Sequence, residues 1–242
     1  MQALIDMDLV VYRCAASAEN DDLGIAIYRV NELLDTLLEK TQATSYRAFL
    51  SGGDNFRKKI YPEYKANRTA EKPKHLEALR EYSLKELSAE LAPPTLEADD
   101  AMGIFQDKIN GQTTICSLDK DMLMVPGKHY QWAFGTSKWQ KDEKFITQSE
   151  LEGLRLFYEQ CLKGDKADNV KGITGLGEVK AKRLLSNCIS EQEMFDIVRQ
   201  AYSNDDEFKM NAQCLWILQD TDDSFLNRYK ELDKTNDASI QE

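Results

Sequence analysis

The sequence has only two histidines and five cysteines among its 242 residues, which limits the chemistry open to it. The cysteines are scattered and form no CxxC pair, so a zinc site built from cysteine and histidine is not expected. Their odd number and wide spacing favour free, mostly buried thiols in a reducing compartment. A Ser-His-Asp triad would have to use His75 or His129. Carboxylates are the abundant alternative, with 42 Asp and Glu residues.

Long apolar runs are also missing, so no membrane-spanning helix is expected. The N-terminal stretch contains CAASA, which is typical of a signal-peptide cleavage site. However, Asp6 and Asp8 interrupt the apolar run, and no basic segment precedes it. We therefore expect a mature protein of the cytoplasm. Its 42% hydrophobic and 30% charged residues are those of an ordinary globular chain of one large or two small domains.

The net charge of −11 argues against a polyanionic partner, but the charge is unevenly spread. Residues 55–74 hold seven Lys or Arg and two Glu, and residues 163–185 hold six Lys or Arg and three acids. Two basic islands in an acidic protein fit a localised polyanion site. They equally fit two solvated helix faces, so charge alone leaves both interpretations open.

Hydrophobic patterning predicts an α/β sheet with parallel strands followed by a helical region. The predicted strands are 3–6, 46–51, 113–117 and 129–134, and the helical patterns between them are 23–40, 74–88 and 97–109. After residue 148 the pattern is almost entirely helical, over 148–162, 176–187, 190–202 and 207–219. The polar, acidic tail from Asp220 is expected to be loosely held.

Acidic side chains recur where such a sheet builds its binding site, beyond the carboxyl ends of the strands. The candidates are Asp6, Asp54, Glu97, Asp99, Asp100, Asp119 and Asp121, with Asp165 and Asp168 farther along the chain. Acids in a first helical turn also favour the helix dipole, which is the structural alternative for 97–100. So many carboxylates in one crevice would repel each other unless cations were bound. Mg²⁺ prefers such oxygen ligands, and two ions can clamp the oxygens of a phosphodiester.

The basic islands predict contacts to a polyanion. In the second island, Gly172, Gly175 and Gly177 lead into a helix that carries the cations Lys180, Lys182 and Arg183. Glycines let backbone N–H groups approach phosphates, and a helix N-terminus favours anions. In the first island, Lys58, Lys65 and Arg68 alternate with Tyr61 and Tyr64, a combination typical of single-strand binding. Packing in the protein interior is the alternative for the tyrosines.

Together these motifs resemble the 5′-nuclease superfamily of flap endonucleases and 5′→3′ exonucleases, most of all the podovirus-type phage exonucleases. The matching segments are LIDMD, NFRKKIYPEYKANR, LEADDAMG, ICSLDKDM and KGDKADNVKGITGLGEVKA, in the family's order. The resemblance implies a nuclease core of the PIN-like or resolvase-like type over 1–150, with a helical arch at about 55–90. It also implies a helical region over 151–242 that contains a DNA-binding helix–three-turn–helix at about 160–202.

The resemblance also implies roles for residues. The acids above other than Asp54 are similar to the family's metal-binding carboxylates, for two or more Mg²⁺ or Mn²⁺ ions. Lys65 and Arg68 resemble the arch cations that meet the scissile phosphate, with Arg57, Lys58 and Tyr64 as nucleic-acid-binding neighbours. Backbone carbonyls from Gly172 to Gly177 are similar to those that hold K⁺. Gly52 stands where many members place a ligand aspartate, and Asp54, two residues later, is a further candidate ligand.

The expected function is therefore hydrolysis of DNA by a monomeric, metal-dependent 5′→3′ exonuclease or flap endonuclease in phage DNA replication or degradation, in the host cytoplasm if phage-encoded. The expected partner is DNA with a 5′ end, a flap or a single-stranded arm, or the RNA of a hybrid. A PIN-type ribonuclease and a non-catalytic DNA-binding module remain as alternatives. The glycine hairpin, which is the segment Gly172–Gly177, argues against the first because the basic helix after it suits a duplex backbone. The intact acidic set argues against the second.

Overall fold

A computed structural model describes residues 1–136 and 139–239. The chain divides into two compact units, which are 1–55 with 70–148, and 56–69 with 149–242. The first unit holds the helices α1 (Met7–Ser17), α2 (Leu23–Thr41), α4 (Leu76–Glu86) and α5 (Ala98–Phe105). The second unit holds α3 (Phe56–Ile60), α6 (Glu150–Lys163), α7 (Glu178–Leu185), α8 (Glu191–Ala201), α9 (Asp205–Leu215) and α10 (Phe225–Ser239).

A six-stranded sheet forms the centre of the first unit. Its strands lie in the order β3-β2-β1-β4-β5-β8. Their bounds are β1 (Gln2–Asp6), β2 (Ser45–Leu50), β3 (Glu90–Leu91), β4 (Thr113–Cys116), β5 (Gly127–Gln131) and β8 (Lys144–Gln148). All neighbouring pairs from β3 to β5 are parallel, which confirms the α/β fold expected from the sequence.

The central strand β1 is apolar on both faces because helices cover both faces of a parallel sheet. Ala3 and Ile5 are fully buried in one hydrophobic cluster with residues of α1, α2 and α4. Leu4, which alternates with them, is fully buried as well. The strand order reverses direction at β1, so the crevice between the carboxyl ends of β1 and β4 is where such sheets place ligands.

The region after β5 differs from the expected single strand over 129–134. The strand β5 ends at Gln131, and a separate hairpin follows from β6 (Phe134–Thr136) and β7 (Trp139–Lys141). The chain then returns as β8, which pairs antiparallel with β5 and closes that edge of the sheet. The run 129–134 is therefore divided between β5, a two-residue connection at 132–133 and the first residue of β6, because an apolar run does not mark where a strand ends.

The helices of the second unit pack around an aromatic cluster. Phe157 of α6 lies 4.8 Å from Trp216 and 5.3 Å from Phe225, measured between ring centroids. Phe225 and Tyr229 are buried, and they lie one helical turn apart on α10. The expectation of a loosely held tail from Asp220 is therefore wrong for 225–229, since two large rings anchor this helix to the unit.

The segment 56–69 groups with the C-terminal helices, whereas the sequence assigned 55–90 as one arch of the N-terminal core. The region 160–202 contains α6, a short antiparallel ribbon of β9 (Gly164–Asp165) with β10 (Val170–Lys171), and then α7 and α8. The helix–three-turn–helix expected there stays a prediction. No helix within the described ranges combines the length and apolar character that a membrane span requires.

Candidate active site

Asp6 and Asp119 lie at the carboxyl ends of the adjacent strands β1 and β4, and one serine connects them. Asp6 Oδ1 accepts the Leu9 N–H at 3.0 Å, which caps α1, and Asp6 Oδ2 accepts the Ser117 hydroxyl at 2.7 Å. The Asp119 N–H donates to the same Ser117 oxygen at 3.0 Å. Two predicted ligands are thus held at the switch point of the sheet by direct hydrogen bonds.

Burial raises the pKa of Asp6 from 3.8 to about 7, and this effect outweighs the hydrogen bonds from Ser117 and Leu9 that lower it. The nearby charges of Asp8 and Asp119 raise it further. The ionised form of Asp6 is therefore costly in the protein alone. A cation beside it would remove that cost, so this donor set fits a bound metal ion.

The first turn of α5 carries the next predicted group. Asp100 is fully buried, and its Oδ2 accepts the Glu97 N–H at 3.1 Å, so one of its oxygens caps the helix. Glu97 and Asp99 are half-buried. The Ala98 N–H donates to Ser51 Oγ at 3.0 Å, which ties this turn to the chain that leaves β2. At least one oxygen of Asp100 therefore has a structural role, because it caps the helix.

The remaining acids of the first unit are more exposed. Asp119 begins a short 3₁₀ helix (Lys120–Met124), and its Oδ1 accepts the Asp121 N–H at 2.9 Å. Asp121 also lies 4.0 Å from the Lys120 ammonium. Asp54 is exposed in the loop after β2, where its Oδ1 accepts the Asn55 N–H at 2.9 Å.

In the second unit, Asp165 is buried where β9 leaves α6. Its Oδ1 accepts the N–H groups of Ala167 at 2.6 Å and Asp168 at 3.2 Å, and its Oδ2 accepts from Gln160 Nε2 at 2.7 Å. Gln160 Oε1 is buried, and no hydrogen-bond partner is present for it in the structure. Asp165 thus shapes the turn that presents Asp168.

Asp168 is bound by the segment that was expected to carry the arch cations. Arg68 Nη2 lies 2.6 Å from Asp168 Oδ1, while the Tyr64 hydroxyl donates to Oδ2 at 2.9 Å. The Lys65 ammonium lies 3.7 Å from Oδ2. The backbone joins as well, because the Lys65 N–H donates to the Asp168 carbonyl at 2.9 Å. The two motifs, 100 residues apart along the chain, thus form one staple that consists of 64–68 and 165–168.

Arg57 and Tyr64 differ from the expectation that they bind nucleic acid. Each is only 2% exposed. The Arg57 guanidinium donates to the carbonyl oxygens of Cys214 at 3.0 Å and Trp216 at 2.6 Å, at the end of α9. Its role here is to satisfy backbone acceptors that a helix end leaves without partners. Lys58 is exposed on α3, and its contact with nucleic acid stays a prediction.

The predicted glycines divide into two kinds. A Cβ at Gly172 would lie 2.1 Å from the Lys163 carbonyl carbon, so this glycine is required by close backbone packing. Gly175 has φ of +85°, and Gly175 and Gly177 face open space, as phosphate approach requires. The α7 cations (Lys180, Lys182 and Arg183) are exposed. The first two already have partners, since Lys180 donates to the Gly175 carbonyl and Lys182 pairs with Glu178.

The structure adds two residues that the sequence did not indicate, Asp8 and Arg80. They form an ion pair in a pocket of about 500 Å³, together with Ser51, Gly52, Gly53, Tyr12, Lys72, Leu76, Glu77 and Leu91. Asp8 stands in the LIDMD motif, but nothing in the sequence links it to an arginine 72 positions later. Over 1–136 and 139–239, no group of three or more His, Cys, Asp or Glu is close enough to chelate one ion.

Comparison with known proteins adds the following matches. The profile of the 5′-3′ exonuclease N-terminal resolvase-like domain matches residues 2–152. DNA polymerase I of Lactococcus lactis subsp. lactis (strain IL1403) is 26% identical over 219 residues, which are 84% of this chain and 24% of the polymerase. The 5′-3′ exonuclease of Bacillus subtilis (strain 168) is 29% identical over 182 residues, which are 68% of this chain and 60% of that protein.

Among solved structures, the D15 protein of bacteriophage T5 co-crystallised with metal ions matches with a TM-score of 0.64 at 14% identity. The match covers 88% of each chain. The same flap endonuclease in complex with DNA and metal ions matches with a TM-score of 0.55 at 14% identity, over 96% of this chain and 98% of that one. At this identity the likeness concerns the fold. The chain spans about a quarter of the length of the polymerase relatives.

Proposed function

The chain belongs to the 5′-3′ exonuclease family, and we propose that it is a metal-dependent nuclease that hydrolyses DNA from 5′ ends or at 5′ flaps. The observation that carries the proposal is the buried Asp6 carboxyl beside Asp119, at the switch point of a resolvase-like sheet. A carboxyl whose pKa is raised by burial at a strand end is a feature of functional sites. Relatives named 5′-3′ exonuclease and DNA polymerase I support DNA as the substrate.

The residues of the first unit that would hold Mg²⁺ or Mn²⁺ are Asp6, Glu97, Asp99, Asp100, Asp119 and Asp121, with Asp54 as a further candidate. In the second unit the candidates are Asp165 and Asp168. Two or more such ions, when bound, supply an activated water and neutralise the charge that develops on the phosphodiester. The structures of the T5 D15 protein with metal ions support this cofactor class.

The chain's own residues have three further tasks. Ser117 orients the Asp6 carboxyl and holds the backbone of Asp119 beside it, since its hydroxyl donates to Asp6 and accepts the Asp119 N–H. Lys65 and Arg68, held together on Asp168, offer paired cations for a phosphate. The exposed α7 cations and the open Gly175–Gly177 turn offer a track for a duplex backbone.

The backbone carbonyls of the glycine hairpin would hold a K⁺ ion. The Gly175 carbonyl already contacts a cation in the structure, since it accepts a hydrogen bond from the Lys180 ammonium at 2.9 Å. A potassium ion there would compete with that ammonium for the same oxygen.

The test is digestion of end-labelled duplex, 5′-flap and single-stranded DNA, and of RNA, with Mg²⁺ and with excess chelator. We expect cleavage of DNA from the 5′ side in Mg²⁺ and none in chelator. Asp119→Ala should lower the rate by several orders of magnitude. The matched control is Asp142→Ala, which removes an exposed acid of the same unit and should leave the rate unchanged. DNA cleavage in chelator would refute the metal requirement, whereas cleavage of RNA alone would favour a PIN-type ribonuclease.

A further inference from the structure

Ser51, the first residue after β2, is held on both sides of its backbone by one ion pair. Its N–H donates to Asp8 Oδ2 at 2.7 Å, and its carbonyl accepts from Arg80 Nη2 at 2.6 Å. Arg80 Nη1 completes the ring by donating to Asp8 Oδ1. Asp8 is on α1 and Arg80 is on α4, so two helices fix the point at which β2 ends.

The side chain of Ser51 connects this fixed point of the backbone to α5 through a hydrogen bond. Its Oγ accepts the Ala98 N–H at 3.0 Å, and Ala98 is the first residue of that helix. Glu97 precedes Ala98 and Asp99 follows it, so the hydrogen bond reaches the turn that carries both proposed ligands. Gly52 and Gly53 follow Ser51 with open space around them, so they do not restrain this loop by packing. The restraint on Ser51 therefore comes from the ion pair and from the last β2 residue.

We propose that Ser51, gripped by Asp8 and Arg80, is a positioning residue that sets the first turn of α5 for metal binding by Glu97 and Asp99. This inference rests on the proposed function. Metal ligands must be placed within a few tenths of an ångström, and residues that orient them typically change affinity 10- to 100-fold when removed. The Ser51 hydroxyl is the group that connects the ion pair to α5, because its oxygen accepts the Ala98 N–H.

Arg80 allows positioning to be separated from simple electrostatics. Removing a cation near acidic ligands strengthens their attraction for a divalent ion. If Arg80 acts only through its charge, Arg80→Gln will tighten Mn²⁺ binding. If it acts by holding Ser51, the same substitution will weaken Mn²⁺ binding. The two interpretations thus predict opposite signs for one measurement.

The experiment is Mn²⁺ titration of the full chain, followed by electron paramagnetic resonance of the free ion, with single-turnover cleavage over the same range of Mn²⁺. We expect Ser51→Ala and Arg80→Gln each to raise the Mn²⁺ Kd about 10- to 100-fold. The rate should recover at high Mn²⁺. Ser51→Thr keeps the oxygen and should restore affinity. The double variant should be little worse than either single one, because both remove the same connection.

The control is Arg29→Gln. Arg29 bridges Asp21 at 2.9 Å and Ser17 at 3.2 Å in the same unit, so it resembles Arg80 in pairing with an aspartate and a serine, and neither of these two partners bonds to α5 among the described contacts. Its Mn²⁺ affinity should equal that of the wild type. Wild-type affinity in Ser51→Ala, or tighter binding in Arg80→Gln, would overturn the positioning role alone. A wild-type chain that binds Mn²⁺ but cleaves no DNA would instead overturn the proposed function, and the affinity comparison would still test the inference.

Discussion

Asp6→Asn should make the metal-free protein more stable at pH 8 while it abolishes cleavage. Asp6 is 5% exposed, and its pKa is about 7 in the folded chain against 3.8 in the unfolded one. Between these values the folded state holds a proton that the unfolded state has released. Stability therefore falls as the pH rises from about 4 to about 7 and is constant above that. Asparagine has no proton to lose, so the variant escapes this penalty.

The expected change in the free energy of unfolding follows from the pKa shift of Asp6. Each pKa unit corresponds to about 1.4 kcal/mol, so the advantage of the variant should grow by roughly 2–3 kcal/mol between pH 5 and pH 8. A lost hydrogen bond lowers the stability of the Asp6→Asn variant at every pH and opposes this advantage. Leu9 N–H and Ser117 Oγ both donate to Asp6, whereas asparagine offers only one acceptor oxygen. The loss of one such bond costs about 1 kcal/mol. The variant should therefore be near wild-type stability at pH 5 and clearly more stable at pH 8.

The assay is urea unfolding with chelator at pH 5, 6, 7 and 8, with the slope of free energy against urea checked for constancy. Asp142→Asn is the control, since it makes the same chemical change at an exposed acid of the same unit. Adding Mn²⁺ at pH 8 should stabilise the wild type more than Asp6→Asn, because the variant lacks one of the proposed ligands. A stability difference that does not change with pH would refute the reasoning. It would mean that Asp6 ionises in the fold as easily as in water.

Four further predictions follow from the second unit. Gly172→Ala should cost more than about 3 kcal/mol of stability and Gly177→Ala less than about 1, by thermal unfolding, since only the first adds an atom against backbone. Lys65→Ala should lower single-turnover cleavage about 10²-fold and affect DNA binding in Ca²⁺ much less, with Lys58→Ala as the milder control. Replacing the α7 cations with alanine should reduce the slope of log affinity against log salt by up to about 2.7, and an unchanged slope would mean a solvated face. Phe225→Ala should destabilise the chain by about 3–5 kcal/mol, because that ring is buried among others.

Patterns in the sequence predicted the fold well because the fold depends on properties that each segment carries by itself. The buried strand 3–6 and the helix 23–40 were found by their apolar periodicity, and the structure has β1 over Gln2–Asp6 and α2 over Leu23–Thr41. The prediction that the tail from Asp220 is loosely held was wrong for 225–229, because it relied on the composition of that segment alone. Its composition is polar and acidic, and what holds it is two rings, Phe225 and Tyr229, one turn apart.

The positions of Asp6 and Asp119 were equally predictable, because position in the sheet follows from the order of the strands. Asp6 and Asp119 follow neighbouring parallel strands, and the structure brings both to Ser117. The connection through Ser51 and Arg80 could not be predicted. It depends on which face of α4 meets the loop after β2, and no local pattern in either segment specifies that pairing.

Asp168 is a residue whose role cannot be assigned from its type alone. The sequence marks it as a metal ligand and marks Lys65 and Arg68 as cations for a phosphate, and each assignment treats the residue as facing a ligand. In the structure these groups face each other, with both oxygens of Asp168 engaged by Tyr64, Lys65 and Arg68. A carboxylate and two cations can pair with one another as well as they can bind a metal and a phosphate. Nothing in the sequence distinguishes internal ion pairing from ligand binding. A metal at Asp168 would have to share its oxygens with these donors, or the staple would have to open. Loss of activity in Asp168→Ala would therefore not identify a ligand by itself, whereas a change in Mn²⁺ affinity with Arg68 and Lys65 intact would.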